Sequence, residues 1–374
     1  MTSKAQPVYR PEGKTIVAAV TAVAAVYVYF LIFPQFGFLK AVQAALGGNA
    51  GIIQPIMTVM GLAGVTGSVL AARFFSDQGC RRWFATGLGI CAGAAAWSLV
   101  ARQTAEFYGV ALLAGLGTGL TTVTLAGMLR GAVGDGRLGM IIGLGTGLAY
   151  AFCNLPGVFD ASATAQAQLA LLAAAAGLAG GSRLTRRVEL VQPAGGNYSG
   201  AGVAAWVLVF LALVCLDSAA FYIIQHTAAL KEATWTGAGR LSLNAGAHLA
   251  AAVLAGWALD RRWLGRTAGL GAVSLLLACW LIHERQQALA GAGLLYVVGV
   301  SFYSTMLVYY PARSGRPGLA ALVYAVAGWG GSGLGIALAE ERQDLPGGLL
   351  LVAGAVILLG LIARRAVQHP GPAT

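Results

Sequence analysis

Residues 256–266 read GWALDRRWLGR, which places three arginines and one aspartate in a short segment of an otherwise apolar chain. Only 10% of the 374 residues are charged, whereas 58% are hydrophobic. Apolar runs of about 20 residues flank this segment on both sides, and a helix of that length crosses a hydrocarbon core of roughly 30 Å. The segment therefore indicates a short charged connection between two membrane-spanning helices.

The rest of the chain has the same organisation, with long apolar runs separated by short segments that carry the charges. We predict an all-helical integral membrane protein, because backbone polar groups in lipid must be satisfied within each segment. Twelve spans can be drawn, at approximately residues 16–39, 50–75, 84–101, 107–129, 138–159, 167–182, 202–225, 240–259, 267–283, 288–310, 318–338 and 347–363. The sixth span, rich in alanine and glycine, has the weakest apolar signal.

The distribution of basic residues predicts the orientation of these spans. A net charge of +11 would suggest nucleic acid as a partner only if the basic residues clustered on one soluble face. Instead most of the 24 lysines and arginines fall in alternate connections, which become the cytoplasmic ones if both termini are inside. This pattern predicts a bacterial-type inner membrane protein with cytoplasmic termini, surrounded by the lipid bilayer and not bound to nucleic acid.

A repeat relates the two halves of the chain. Asp77 and Asp260 are 183 residues apart, and so are Trp97 and Trp280. Between these pairs, ATGLG at 85–89 is similar to TAGLG at 267–271. We therefore expect two six-helix bundles in the same orientation. Their predicted bounds are residues 1–182 for the first bundle, 183–200 for a cytoplasmic linker and 201–374 for the second bundle.

The two charged connections carry a family resemblance. The segment 256–266 and its counterpart ARFFSDQGCRRW (72–83) resemble the loop signature G-x-x-x-D-R-x-G-R-R, which occurs once in each half of major facilitator superfamily transporters. The second copy keeps Gly256, Asp260, Arg261, Gly265 and Arg266, with a longer spacing between Arg261 and Gly265.

The first copy is degraded, because it keeps Asp77, Gly79, Arg81 and Arg82 but has Arg73 at the leading glycine position. The resemblance implies that these loops hold the two halves together on the cytoplasmic side. Candidate gate residues are Asp77, Arg81, Arg82, Asp260, Arg261 and Arg266, with Asp260 pairing with Arg261. In the alternative interpretation the basic residues only fix the topology.

Two other signatures of the resembled family are missing. The fourth span has no arginine in its interior, since Arg130 stands at its inner end. The fifth span reads LGTGLAYAFCNLPG and lacks the glycine-proline pattern associated with antiporters. Both absences argue against drug/proton antiport.

One acidic and one basic side chain lie well inside the spans. Asp217 is the single acidic residue at such a position, and His248 is the single histidine. A charge at mid-membrane costs roughly 2.5–3.5 kcal/mol on insertion scales, so it should face a cavity or a partner. The two residues are equally far from the loop at about 226–239, which places them at similar depth on consecutive antiparallel helices. We predict a coupled, proton-binding pair; alternatively, each satisfies a nearby group independently.

The resemblance also implies that spans 1, 4, 7 and 10 line a central cavity. Tyr296, Tyr303 and Tyr310 are seven residues apart and should share one face of the tenth span. An aromatic, hydroxyl-rich lining with few charges suits a neutral or amphipathic organic solute, although such a stripe is also consistent with packing alone. Beside Asp217 and His248, the candidate site residues are Tyr27, Gln35, Thr121, Asn154, Tyr222, Tyr296 and Tyr303.

Pairs of glycines four residues apart predict where helices approach one another closely. Three such pairs are Gly115/Gly119, Gly143/Gly147 and Gly331/Gly335. Small residues at this spacing let helix backbones come together in a membrane. They serve either static packing or surfaces that slide during transport.

The predicted function is secondary transport of a small, neutral or amphipathic organic solute by alternating access, driven by a proton gradient or by a solute gradient. The runner-up is a transporter-like membrane receptor or assembly partner that moves nothing, and a membrane-embedded enzyme ranks third. The four histidines are dispersed, so we predict no metal site. We also predict no cofactor and a monomeric protein.

Overall fold

A computed structural model describes residues 11–47, 50–187, 198–284 and 289–368, and this part of the chain is helical. Twelve long helices follow one another, with α1 built from Gly13–Ile32, a π-helical turn at Phe33–Gly37, and Phe38–Leu46. The other helices are α2 (Ala50–Arg73), α3 (Cys80–Ser98), α4 (Thr104–Val133), α5 (Leu138–Cys153), α6 (Ala163–Ser182), α7 (Gly200–His226), α8 (Ala238–Asp260), α9 (Leu264–His283), α10 (Leu289–Ser314), α11 (Pro317–Arg342, with a π-helical segment at Val323–Gly330) and α12 (Gly347–Gln368).

Within the described ranges, eleven of these helices are long and apolar enough to cross a membrane. The remaining one, α3, occupies the position of the predicted third span, and Arg81 and Arg82 at its beginning lower its hydropathy. All twelve predicted spans therefore correspond to helices, including the alanine-rich sixth. Their ends differ by several residues in places, most clearly in α4, which has 30 residues.

The packing of the helices repeats between the two halves. In the first half α1 packs on α5 and α6, α4 packs on α2 and α3, and α3 packs on α6. In the second half α7 packs on α11 and α12, α10 packs on α8 and α9, and α9 packs on α12. Each pair in one half has its counterpart six helices later, which confirms the predicted fold of two repeated six-helix bundles.

Two helix pairs form the most extensive contacts between the halves, and they are also related by the repeat. These pairs are α5 with α8 and α2 with α11. The exact bounds proposed for the bundles and linker stay a prediction, because residues 188–197 of the proposed linker lie outside the described residues.

The paired glycines lie where two helices approach each other closely, within a half or between the halves. A Cβ atom on Gly115 or Gly119 would collide with backbone atoms of α2, and one on Gly143 would collide with the Ala252 carbonyl in α8. The same holds for Gly335 against the Cys215 carbonyl in α7. The prediction that these glycines allow close helix packing is therefore confirmed, and Gly143 does so at the interface between the halves.

Candidate substrate and proton site, with its closing contacts

The carboxylate of Asp217 is the centre of a cluster between α7 and α10. Both of its oxygens accept hydrogen bonds from tyrosine hydroxyls, one from Tyr296 and one from Tyr303. These tyrosines are two helical turns apart on α10, so they approach the carboxylate from one face, as the seven-residue spacing predicts. Asp217 itself is half-buried, whereas both tyrosines are buried.

Tyr310, the third member of the predicted tyrosine stripe, does not reach this cluster. Its ring stacks on Tyr198 at 5.1 Å between centroids and lies 5.6 Å from the ring of Trp206. Two of the three tyrosines therefore bind Asp217, and the third packs against Tyr198 and Trp206.

Aromatic rings form a wall beside the carboxylate. Phe221 lies one turn after Asp217 on α7 and stacks on Tyr296 at 6.3 Å between ring centroids. Trp235, from the short helix Ala228–Trp235, meets Tyr296 edge-on at 5.5 Å and Phe221 at 5.8 Å. The acid therefore lies next to an edge of three mutually packed rings.

Hydroxyl groups connect this cluster to the first half of the molecule. Tyr150 on α5 shares a hydrogen bond of 2.9 Å with the Ser304 hydroxyl, and Tyr27 on α1 donates to the Ser304 carbonyl at 3.3 Å. Thr146 and Thr305 share another hydrogen bond of 3.2 Å. Helices α1 and α5 thus meet α10 immediately beside Tyr303, at the boundary along which the two halves would separate.

His248 is fully buried but does not pair directly with Asp217. Its Nδ1 atom lies 2.8 Å from the Ser301 hydroxyl, and its ring stacks on Tyr150 at 4.5 Å between centroids. The two residues of the predicted coupled site therefore lie in separate environments on either side of α10. Their equal distance from the loop at about 226–239 predicts a similar depth in the membrane. It does not predict the side of its helix on which each side chain lies.

Four other predicted site residues lie elsewhere. Asn154 is at the far end of α5 and accepts a hydrogen bond from the Trp235 indole at 3.0 Å. Tyr222 stacks on His226, Thr121 faces Gly87 in α3, and Gln35 is exposed in the π-helical turn of α1. Tyr27, Asp217, Tyr296 and Tyr303 are brought together, and Tyr150, which the sequence also offers as a lining residue of the fifth span, is a central member.

Asp260 closes the end of the molecule that carries the arginine-rich connections, which we call the basic end. Its carboxylate accepts from the backbone N–H groups of Gly139 and Met140, at 2.6 and 2.9 Å. These are free donors in the first turn of α5, where the helix dipole also favours a negative charge. Asp260 therefore joins the second half to the first.

The expected pairing of Asp260 with Arg261 is wrong. The Arg261 guanidinium lies over the Trp257 ring at 3.6 Å, and Arg266 lies over Trp263 at 5.2 Å. Both arginines use aromatic faces of their own connection, so among these gate candidates only Asp260 makes the recorded bond across the halves.

The first copy of the motif makes different contacts. Asp77 forms an ion pair with Arg186, and Arg81 donates to the Ser182 carbonyl at the end of α6. Burial lowers the pKa of the Arg186 guanidinium, which still remains charged at neutral pH. Arg82 is exposed. The Asp77 and Arg81 contacts reach the proposed linker and α6 but do not cross to the second half, unlike those of Asp260.

Arg130 is a functional candidate that the sequence interpretation missed. Its side chain is buried, pairs with Asp135 at 2.6 Å, and donates to the Arg313 carbonyl at 2.8 Å. The expectation of no buried arginine in this helix is therefore wrong. A signal was present, because Arg130 and Arg313 have the same 183-residue spacing as the two motif aspartates.

Replacing Asp260 with alanine is expected to weaken closure of the basic end. Loss of a helix-capping side chain typically costs about 0.5–2 kcal/mol, which here reduces the closed population roughly five-fold at a cost of 1 kcal/mol. The measurement is alkylation of a cysteine introduced at Thr305, which is buried against Thr146, in a background without the five native cysteines.

The matched control is Asp77→Ala, because the ion pair of Asp77 is with Arg186 of the proposed linker and does not cross to the second half. It should leave alkylation of residue 305 unchanged. Equal effects of the two substitutions would contradict the assignment of Asp260 to closure.

Aromatic and polar contacts also join the halves at the opposite end. Trp235 binds Asn154 as described above, and Phe36 of α1 meets Phe221 of α7 edge-on at 5.7 Å. Phe36 also contacts Phe159 at 5.5 Å, so one ring bridges both halves. Contacts between the halves are thus present at both ends.

Replacing Trp235 with phenylalanine is expected to loosen this opposite end while keeping its ring packing. The substitution removes only the N–H donor and leaves the Asn154 oxygen unpaired, at a cost of about 1 kcal/mol. Hydrogen exchange of helix Ala228–Trp235 should then accelerate roughly five-fold. Trp280→Phe, on an exposed ring of α9, serves as the control and should change nothing there.

Comparison with known proteins places this architecture among solved structures. No family model and no curated protein sequence matches the chain. In structure, the chain is similar to the human organic anion transporter MFSD10 (TETRAN), with a TM-score of 0.66, 15% identity, and 95% of this chain and 100% of the other covered.

Two further solved structures show the same likeness. One is a bacterial homologue of the iron transporter ferroportin in the outward-facing state with soaked iron (TM-score 0.66, 13% identity, 96% of this chain and 100% of that chain). The other is the proton:xylose symporter XylE bound to 6-bromo-6-deoxy-D-glucose (TM-score 0.64, 10% identity, 93% and 94% covered). XylE is described as a member of the major facilitator superfamily. The chain therefore has the fold of the major facilitator superfamily.

Proposed function

We propose that this protein is a secondary active transporter that moves a small, neutral or amphipathic organic solute by alternating access, with a proton carried on Asp217. The observation that carries the proposal is the position of this acid. It is held by two tyrosines of α10 and lies next to the point where α1 and α5 of the first half contact the same helix.

The chemistry of the cluster supports a proton as the coupling ion. An ionised carboxylate within the bilayer costs free energy unless neighbouring groups stabilise its charge. The proton affinity of Asp217 therefore depends on the groups that contact it. The hydroxyls of Tyr296 and Tyr303 donate to the ionised form and can rotate to accept from the protonated form. A solute that approaches these hydroxyls therefore changes the free energy of protonation of Asp217.

Alternating access is supported by the two sets of closing contacts. Asp260 and Arg130 join the halves at the basic end, and Trp235 and Phe36 join them at the opposite end. Each set consists of a few hydrogen bonds and ring contacts. When the two halves rock against each other, the set at one end can break while the set at the other end remains formed. The cluster around Asp217 lies between them and would open to one side at a time.

The orientation belongs to the same proposal: the basic end faces the cytoplasm of a bacterial-type inner membrane, and the protein acts as a monomer. We expect cysteines introduced at the exposed residues Gln78 and Arg262 to react from the cytoplasmic side only, and one at Glu341 from the outside only. The native cysteines are all buried and give little background. Labelling of residues 78 and 262 from opposite sides would contradict the two parallel halves.

The transport function itself is tested in proteoliposomes that contain the pH dye pyranine. Sugars, polyols, aromatic alcohols and amino alcohols are added one at a time, and the lumenal pH is followed. A protein-dependent pH change with at least one of these solutes is the expected result. If no solute moves a proton and none is taken up, the alternative of a non-transporting receptor or assembly partner is favoured.

A further inference from the structure

We infer that the solute bound at this site is an organic monocation with an aromatic or bulky apolar body, and that it exchanges with the proton on Asp217. This inference rests on the proposed function and narrows its amphipathic solute to one charge type. It is carried by the charge balance of the cluster and by the arrangement of its rings.

The charge on Asp217 has no recorded cationic partner among the described residues. Its recorded side-chain hydrogen bonds come from two uncharged hydroxyls. Among the described residues, the lysines and arginines lie in the connections or in the outer turns of the helices, and none of them forms an ion pair with Asp217. A carboxylate inside a membrane protein is normally paired, so its missing counter-charge is supplied either by a proton or by the solute.

The rings beside the acid supply a surface for the rest of such a solute. Phe221, Trp235 and Tyr296 pack against one another with centroids 5.5–6.3 Å apart. An ammonium group within about 6 Å of a ring face gains roughly 0.5–2 kcal/mol from the ring quadrupole. Asp217 and Phe221 are both only half-buried, so protein atoms do not fully enclose the acid or this part of the wall.

Anions are disfavoured by the same arrangement. The similar human structure is of an organic anion transporter, but in this chain the buried Arg130 is held at the basic end by Asp135 and the Arg313 carbonyl. Near Asp217, an anion would meet a like charge and no positive side chain. The cluster therefore discriminates by charge sign as well as by shape.

Exchange follows from the presence of a single carboxylate. When the cation binds, the carboxyl proton leaves to the water on the open side, and when the cation leaves, a proton returns. One positive charge replaces another, so the cycle is an electroneutral antiport, contrary to what the missing glycine-proline pattern of the fifth span suggests. The other titratable groups that interact with the acid are Tyr296 and Tyr303 from α10, Tyr150 from α5 and Cys279 from α9.

These neighbours do not change charge when the solute binds near neutral pH, because tyrosine and cysteine side chains here are neutral donors. His248 faces Tyr150 and Ser301 rather than the acid. The proton released on binding is therefore assigned to Asp217 alone.

The test uses three probes with the same phenyl body: phenethylamine, phenethyl alcohol and 3-phenylpropionate. Their binding to the purified full-length protein is measured by calorimetry at two pH values and in two buffers of different ionisation enthalpy. We expect phenethylamine to bind at least ten-fold more tightly than the other two, more tightly at the higher pH, and with release of close to one proton. Equal binding of the alcohol, or binding without proton release, would overturn the inference.

Asp217→Asn should lower phenethylamine affinity at least ten-fold and remove its pH dependence, without changing the weak binding of the alcohol. The control is Asp160→Asn, which removes an exposed carboxylate between α5 and α6 and should bind like the wild type. Asp217→Glu restores the charge and should recover part of the affinity, which separates loss of charge from loss of folding. Unchanged amine binding by Asp217→Asn would refute the site.

The failures of the two proposals are distinguishable. If phenethylamine does not bind but a neutral solute still changes lumenal pH through Asp217, the cation inference is wrong and proton-coupled transport stands. If phenethylamine binds through Asp217 but nothing is transported, the charge selectivity stands and the proposed transport function is wrong.

Discussion

Asp217→Asn is expected to abolish proton-driven accumulation of solute while leaving exchange of solute across the membrane intact. The amide cannot gain or lose a proton, so the two directions of the cycle are no longer linked to the pH gradient. With one proton per solute, two pH units can sustain about a 100-fold concentration ratio, since each factor of ten corresponds to about 1.4 kcal/mol. The variant should reach a ratio of about one.

The measurement uses proteoliposomes with an imposed pH gradient and a radiolabelled solute, either one identified with pyranine or phenethylamine. Accumulation is compared with counterflow at equal pH on both sides. Counterflow measured at a saturating solute concentration, which compensates for weaker binding, should persist within a few-fold of wild type, because Asp217→Asn retains the tyrosine and aromatic contacts of the site. Loss of both activities would point to misfolding, which the melting temperature of the variant then checks.

Tyr303→Phe is the companion variant. It removes one donor to the carboxylate and leaves the acid able to titrate, so accumulation should fall only partly while its pH dependence shifts. Full accumulation by Asp217→Asn would contradict the proton role, whatever Tyr303→Phe does.

The fold could be predicted from this sequence because two independent signals agree. The apolar runs define the twelve helices, and the 183-residue spacing of Asp77 and Asp260 defines the repeat. The same spacing also joins Arg130 to Arg313, whose contact at the basic end the prediction overlooked because Arg130 was placed outside the span. Of the twelve described helices, α3 alone falls short of the hydropathy of a membrane span, and its first turn carries two arginines.

The site was predictable only in part, because depth along a helix does not fix rotation about its axis. Asp217 was predicted because a charge inside the membrane costs free energy and therefore indicates a partner or a cavity. Tyr296 and Tyr303 were predicted because a spacing of seven residues keeps two side chains on one helix face. Thr121 faces α3 instead of the centre, since α4 carries small and hydroxyl residues on more than one face. His248 has the expected depth, but its ring turns toward Tyr150.

The sequence indicated that Asp260 lies at a contact between the halves, but not which groups it binds there. Asp260 and Arg261 are neighbours in sequence, which suggested an ion pair, yet Arg261 finds the Trp257 ring one turn earlier in α8. The carboxylate instead binds the first turn of α5, a partner more than a hundred residues away in sequence. Free N–H groups at a helix start are not visible as a motif, so only the packing of α5 on α8 identifies this contact.

Gly256→Val is expected to prevent full closure of the basic end. Gly256 on α8 and Gly139 on α5 approach so closely that a Cβ at either position would collide with backbone atoms of the other helix. Two bonds between the halves lie directly at this approach, those that the N–H groups of Gly139 and Met140 donate to Asp260. Overpacking of this kind costs about 1–3 kcal/mol, so the closed population should fall roughly 5- to 150-fold.

The measurement is a spin-label distance between cysteines at Gly136 and Arg262, two exposed positions on either side of this contact. Wild type should show a short-distance population that Gly256→Val loses. Gly246→Val is the matched control, since it adds the same side chain to α8 where no atom lies within 4 Å of the new Cβ. It should keep the short distance. If the short-distance population persists in Gly256→Val, the α5–α8 contact does not control closure, and the rocking of two halves about Asp217 loses its physical basis at this end.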